Sequence, residues 1–318
     1  PYTTLFRSGY KMKPTVVIAL GGNAILQRGE ILSAQNQYKN IAQVAEVVAG
    51  LANDYRVVIV HGNGPQVGLL ALQGALDQQT PAYPLDILVA ETQGMLGYMI
   101  AQSLGQKENI PQVVSLLTRI EVEADDPAFQ QPSKFIGPVY LPDQQHEPKL
   151  RYGWTMKADG QYFRRVVASP KPRKVVELAS IKCLLDSDHI VVCAGGGGMP
   201  VVASQQGYCG VEAVIDKDLS AALLAEELHA EYLMILTDAD AVYQDWGTPQ
   251  ARALRHVTPE VLRPFAAPDG AMGPKAEAVI AFVEQTGGTA FIGALADAEA
   301  ILRREKGTCI TPETAAVL

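Results

Sequence analysis

The sequence predicts an α/β protein: a mostly parallel central sheet covered by helices on both faces, with a small protruding subdomain. Three observations carry that prediction. Short apolar runs rich in β-branched residues, such as TVVIAL at 15–20 and VVIV at 57–60, alternate along the chain with segments of helical period. Several of those runs end in a glycine turn. Between 121 and 165 this alternation gives way to a proline-rich stretch of short extended pieces, too long for a simple loop.

Composition bounds the reading. The 318 residues are 48% hydrophobic and 19% charged, as in an ordinary soluble globular chain, and can bury the core of one large unit or two coupled domains. Lys+Arg 26 against Asp+Glu 34 gives a net charge of -8, with no basic block, which argues against a nucleic-acid or anionic-membrane partner. No apolar run is long enough to span a bilayer; the stretch 190–203 is broken by four glycines and a proline. Cys183, Cys193, Cys209 and Cys309 are scattered without a C-x-x-C pair, and read as reduced thiols of a cytoplasmic protein. Residues 1–11 precede Met12, lack a signal peptide's apolar core, and are read as a leader outside the fold.

Taken in order, the strand 15–20 runs into Gly21-Gly22-Asn23-Ala24, where glycines let backbone N–H groups approach a ligand. A helix is expected over 35–53, with Ile41, Val44, Ala45 and Val48 on one face. The second strand, 56–61, breaks into a glycine loop at 62–68 that contains Gly62, Asn63 and Gly64. Two such turns on one sheet edge mark where open α/β sheets bind ligands. His61, at the end of that strand, reads as structural. A short helix at 69–75, a longer one at 87–104 and a strand at 113–117 follow.

The segment 121–165 carries Pro127, Pro132, Pro138, Pro142 and Pro148, and its alternating pieces predict strands and hairpins rather than helices. Lys134 lies within it between turn residues. The chain then returns through a helix near 175–185 and a strand at 189–194 to four glycines at 195–198, for which flexibility and close backbone packing are both open readings.

The stretch Glu212–Leu219 opens an apolar helix with no Gly or Pro through Leu228, expected to be buried nearly all round. Asp216 suits its N-cap, which places Lys217 and Asp218 in the first turn, at the helix's positive end. A strand at 231–237 ends in Asp238-Ala239-Asp240-Ala241-Val242-Tyr243, and 258–265 predicts a short helix. A glycine loop over 269–275 leads into another helix through Pro274 and Lys275, followed by a strand at 289–292 and a possible edge strand at 308–310.

Glycine turns at several strand ends, with lysines at two helix starts, suit a polyanion such as a nucleoside triphosphate. The patterns G-x-x-x-x-G-K-[ST] and G-x-G-x-x-G after the first strand are absent, as are the protein-kinase signatures and any Ser/His/Asp or Cys/His arrangement.

From Met12 onward the sequence resembles the carbamate kinase family of the amino-acid kinase superfamily. The resemblance rests on ALGGNA, VHGNGPQVG, PSKFIGPVY, RRVVASP, CAGGGGMPV, EAVIDKDLSAALLA, ILTDADAVY and MGPK, in that order. Phe135 stands where many members would carry proline, and residues 1–11 have no counterpart. The resemblance implies the amino-acid kinase fold, a three-layer αβα sandwich, divided into a carbamate and phosphoryl-acceptor lobe at 12–211 and a nucleotide lobe at 212–318, with the protruding subdomain at about 121–165.

It also implies a homodimer that interconverts MgATP and carbamate with MgADP and carbamoyl phosphate, run toward ATP in fermentative nitrogen catabolism. Lys134, Lys217, Asp218 and Lys275 would then be catalytic, with Asp218 orienting lysines. Gly21, Gly22, Asn23, Gly62, Asn63 and Gly64 would hold carbamate and the phosphoryl group. Asp238, Tyr243, Met272 and Gly273 would line the nucleotide site, and Mg2+ would be held mainly by the nucleotide rather than by protein ligands.

Carbamate is already an anion, so this chemistry needs cations rather than a general base: two unit charges at ~4 Å repel by ~4 kcal/mol at an effective dielectric of ~20. Two alternatives are a kinase of the same superfamily acting on another small molecule, which should lack the insert carrying Lys134, and a catalytically silent nucleotide-binding sensor, which would not need four charged residues of this kind.

Overall fold

The computed structural model describes residues 12–77, 79–267 and 271–313. The proposed leader at 1–11, and Asp269 and Gly270 of the expected glycine loop, lie outside the described residues. An eight-stranded sheet forms the centre, in the order 256–257, 308–310, 289–294, 232–237, 15–20, 56–61, 190–192 and 113–115. Its pairings are parallel except that between 289–294 and 308–310.

Alternation along each strand decides what faces each layer. On Thr15–Leu20 all six residues are buried. Val17 and Ala19 join Val58, Val60, Leu233 and Ile235 in a core completed by Ala221 and Leu224 of the helix Lys217–Glu227 and Val279 and Val283 of the helix Gly273–Thr286. Val16, Ile18 and Leu20 face the opposite core, with Ile41 and Val44 of the helix Ala34–Leu51 and Leu96 and Ile100 of the helix Leu85–Leu104. The predicted sheet with two covered faces is the observed one.

Several boundaries differ from expectation, each for a local reason. The glycine loop expected at 62–68 is mostly helix: Gly64–Leu76 starts at once, with Asn63 at the N-cap and Pro65 in the first turn, where its missing N–H costs nothing. The helix expected at 258–265 is one α-turn, Pro259–Leu262, followed by a 3-10 turn that contains Pro264. Leu219 and Leu223 are only half-buried, so the helix at 217–227 is less enclosed than its sequence implies.

The protruding segment, here called the flap, is a three-stranded antiparallel sheet of Lys134–Tyr140, Tyr162–Val167 and Met156–Asp159. It contains one helix, His146–Tyr152, against the expectation of strands alone. Pro148 falls in that helix's first turn and Gly153 closes it at φ 68. Arg119–Val122 is not part of the flap; it pairs with Pro172–Val175 and Met199–Ser204 in a four-stranded sheet completed by Gly207–Gly210.

Candidate active site

Parallel strands with a common direction end together, so the segments after Leu20, His61, Val192, Thr237 and Ala294 collect along one edge. There they border an open cleft of about 1140 Å³. It is lined by Gly21, Gly22, Asn23, Gly62, Asn63, Gly64, Lys134, Lys217, Asp218, Asp238 and Lys275, eleven of the residues singled out from sequence. Tyr243, Met272 and Gly273 do not line it. Tyr243 packs at a tilt against Trp246 and donates from its hydroxyl to Asp240, while Met272 packs on the core beneath the helix that Gly273 begins.

The charged cluster is assembled from three separate segments. Asp216 caps the helix 217–227 by accepting from the backbone N–H groups of Asp218 at 2.8 Å and Leu219 at 3.3 Å. That cap fixes the first turn, and Lys217 Nζ donates to its neighbour Asp218 Oδ1 at 2.6 Å. Lys275, two residues into the helix 273–286, reaches the other oxygen of Asp218 at 3.1 Å. Lys134, the first residue of the flap's leading strand, donates to Asp216 Oδ2 at 2.6 Å. Three ammonium groups and two carboxylates therefore share one wall of the cleft.

Burial and charge pull these groups in opposite directions. For Lys217, burial outweighs the attraction of Asp218 and, with the repulsion of Lys275, lowers its pKa. Lys275 sits less deeply; its burial is overcome by Asp218, and its pKa is raised. Burial pushes the Asp216 carboxyl up, but the ammonium groups of Lys134 and Lys217 more than offset it, leaving the carboxyl well below its usual range. Asp216 is the site residue that sequence reading assigned only to helix capping. The signal available was its place two residues before Asp218, on the same helix start as Lys217.

The glycine turns make room for this cluster. A Cβ at Gly62 would lie 3.3 Å from Lys217 Cδ, so the missing side chain is the channel along which the Lys217 stem runs. Gly196 also borders the cleft. Its φ of 64 suits glycine, and a Cβ there would lie 2.1 Å from Asn63 Nδ2, so the four-glycine turn is a site of close packing. Asn63 is held from the other side by its bond to Thr92 Oγ1 at 2.9 Å. Beyond the ends of two paired strands, Asn23 Nδ2 donates to Asp238 Oδ2 at 3.1 Å. Among the described residues no three His, Cys, Asp or Glu side chains gather where they could hold a metal ion by themselves.

Residues 14–294 match the Amino acid kinase family. The chain is also 60% identical to the carbamate kinase of Escherichia coli O6:H1 over 297 residues, which are 93% of this chain and 99% of the relative. The chain belongs to the carbamate kinases of the amino acid kinase family. It is 51% identical to the carbamate kinase of Rhizobium meliloti, with 93% of each chain covered. Carbamate kinase from Giardia lamblia bound to AMP-PNP has the same fold, with a TM-score of 0.84 at 36% identity over 94% of this chain and 98% of that one. Family membership makes the chain an ATP-dependent phosphotransferase.

Proposed function

We propose that this protein catalyses reversible phosphoryl transfer between MgATP and carbamate, giving MgADP and carbamoyl phosphate. The observation that carries the reading is the convergence of Lys134, Lys217 and Lys275 on one cleft that the glycine turns at 21–23 and 62–64 also line. Carbamate brings its own negative charge to the phosphoryl group, so catalysis consists of cancelling repulsion and fixing the line of attack. Ammonium groups held in place beforehand do both, because they do not have to reorganise as charge moves onto the transferred oxygens.

In this reading Gly21, Gly22 and Asn23, with Gly62, Asn63 and Gly64, cradle carbamate and the phosphoryl group. Asp218 keeps Lys217 and Lys275 a fixed distance apart. Asp238 stands on the nucleotide side, and Tyr243, Met272 and Gly273 border that side only if the nucleotide extends past the cleft. Mg2+ would be held on the nucleotide phosphates and would supply charge neutralisation there. The acceptor lobe spans 12–211 and the nucleotide lobe 212–318.

The functional unit is a cytoplasmic homodimer. Support for the dimer comes from the helix Leu85–Leu104, whose outer face leaves Ile87, Met95 and Tyr98 exposed.

The test is to mix the protein with carbamoyl phosphate and MgADP and to measure ATP. Stoichiometric ATP that requires both substrates is expected. No ATP here, with phosphorylation of an acylated amino acid or a nucleoside monophosphate instead, would transfer the protein to another branch of the superfamily. Nucleotide binding without any turnover would make it a sensor.

A further inference from the structure

Asp216 is one carboxylate bonded in two directions. Its Oδ1 takes the backbone N–H groups of Asp218 and Leu219, and its Oδ2 takes Lys134 Nζ at 2.6 Å from the flap, 82 residues away in sequence. Capping alone requires only an oxygen, and a neutral Ser or Asn supplies one. Burying a full charge is costly unless it is paired, and Lys134 is the cation that the second oxygen pairs with. Lys134 has no other carboxylate within ion-pair distance among the described residues. Its ammonium carries three donors, so a bond to Asp216 leaves two for a phosphoryl oxygen.

The flap is attached to the body at a second place. Next to Lys134 on the same strand, Ile136 packs with Val67 and Val214 in a small core, and Gly137 crosses Gly68. The strand is therefore pivoted at 136–137 and tied at its first residue, 134.

We propose that Asp216 is a positioning residue that latches Lys134, and with it the flap, onto the helix start presenting Lys217 and Asp218. Closure of the flap and assembly of the three cations are then a single event. This inference rests on the phosphoryl-transfer reading above for its effect on rate, but the latch itself can be measured without turnover.

Asp216→Asn separates the two bonds, since the amide oxygen can still cap the helix while its NH2 cannot hold an ammonium group. The variant should keep the parent's melting temperature to within a few degrees and lose about 10- to 100-fold in kcat, the scale of a misplaced catalytic group. KM for ADP should change little. In a Lys134→Ala background the same substitution should change kcat by less than about 2-fold, because the partner it acts through is gone.

Amide hydrogen exchange of strands 134–140 and 162–167 should quicken in Asp216→Asn whether or not the parent makes ATP. Should the asparagine variant melt early, Asp216→Ser, which caps but cannot reach Lys134, replaces it in every measurement. Multiplying effects of the two substitutions on kcat, or unchanged exchange in the flap strands, would overturn the latch. An inactive parent whose flap exchange still depends on Asp216 would instead refute only the phosphoryl-transfer reading.

Discussion

Gly68 and Gly137 cross backbone against backbone. A Cβ on Gly68 would sit 2.1 Å from Gly137 Cα, closer than any side chain can approach. The two positions are glycine for different reasons: Gly68 for space, and Gly137 also for its φ of 74. Ile136 and Val167 of the flap and Val67 of the helix close over this crossing in one apolar cluster, so the flap's position is set by how near the two backbones come.

Gly68→Ala should therefore move the flap strand outward and carry Lys134 with it. The expected cost is about 1–3 kcal/mol of stability, the usual range for overpacking, with a loss of kcat larger than that stability change alone would produce. Gly74→Ala on the same helix is the control: its nearest neighbour, Ala82, would lie at an ordinary 3.7 Å. That variant should be neutral or stabilised by up to about 1 kcal/mol. Denaturant unfolding and turnover of both variants decide the matter, and equal behaviour of the two would remove the crossing from consideration.

Lys217→Ala and Lys134→Ala should each cut turnover by a factor of at least ~100, the scale of losing one donor aimed at transition-state charge. They should differ in stability. Lys217 is the more enclosed, and its removal leaves Asp218 short of one partner and empties the channel beside Gly62. Lys134 sits at a half-open edge and Asp216 keeps the attraction of Lys217 when it is gone, so its loss should lower the melting temperature too, but by less than the loss of Lys217. Near-normal turnover in both would falsify the roles given to them.

Much of this architecture is legible in the residues themselves. TVVIAL and VVIV have no polar side to offer water, so they had to be central strands with a helix layer on each face. Asp216-Lys217-Asp218 ahead of an apolar helix marks a charged N-terminus. What could not be read is anything fixed by distant packing. The helix at 146–152 depends on a cap at Gly153 inside a proline-rich segment, and the small sheet around 119–122 joins strands far apart in sequence that are too short to show a period. The bond from Lys134 to Asp216 is of the same kind: local sequence shows a loop lysine and a capping aspartate, and only the docking of the flap brings them together. Conversely, the four glycines at 195–198 leave flexibility and tight packing equally open until Asn63 and His61 are seen pressed against them.

Asp218 holds two ammonium groups while its side chain is only 2% exposed. Asp218→Asn removes the carboxylate that Lys217 and Lys275 both bond directly, leaving the two enclosed cations only the weaker attraction of Asp216. A loss of activity with a stability cost of about 3–5 kcal/mol is expected near neutral pH. Lys217 already has a lowered pKa, chiefly from burial, and without Asp218 it should be lower still. A depressed lysine pKa costs stability below the folded value, and the cost fades as pH rises toward the ordinary 10.5. The variant's deficit should therefore shrink on raising the pH from 7 to 9.5 in chemical unfolding. A deficit that stays constant over that range would mean the loss is one of packing rather than charge.

His61 ends its strand fully buried, with Nδ1 3.0 Å from the Gly62 carbonyl oxygen and its ring against Gly195. Burial pulls its pKa from 6.5 down to about 4, so the ring is neutral in the folded protein at pH 7, and a neutral Nδ1–H donates to Gly62. In the unfolded chain His61 takes a proton near pH 6.5, but the folded protein does so only near 4. The unfolded state thus binds more protons between those values, and stability falls as pH drops through that window. The shift corresponds to roughly 3 kcal/mol lost by pH 4. His61→Gln cannot titrate, so the stability difference between parent and variant should narrow or reverse as pH falls from 7 to 4.5 in urea unfolding. In the folded enzyme the ring stays neutral until near pH 4, so its bond to Gly62 holds and turnover of the folded parent should not fall through His61 over this window. A parent and variant that lose stability in parallel would show that the ring is already charged in the fold.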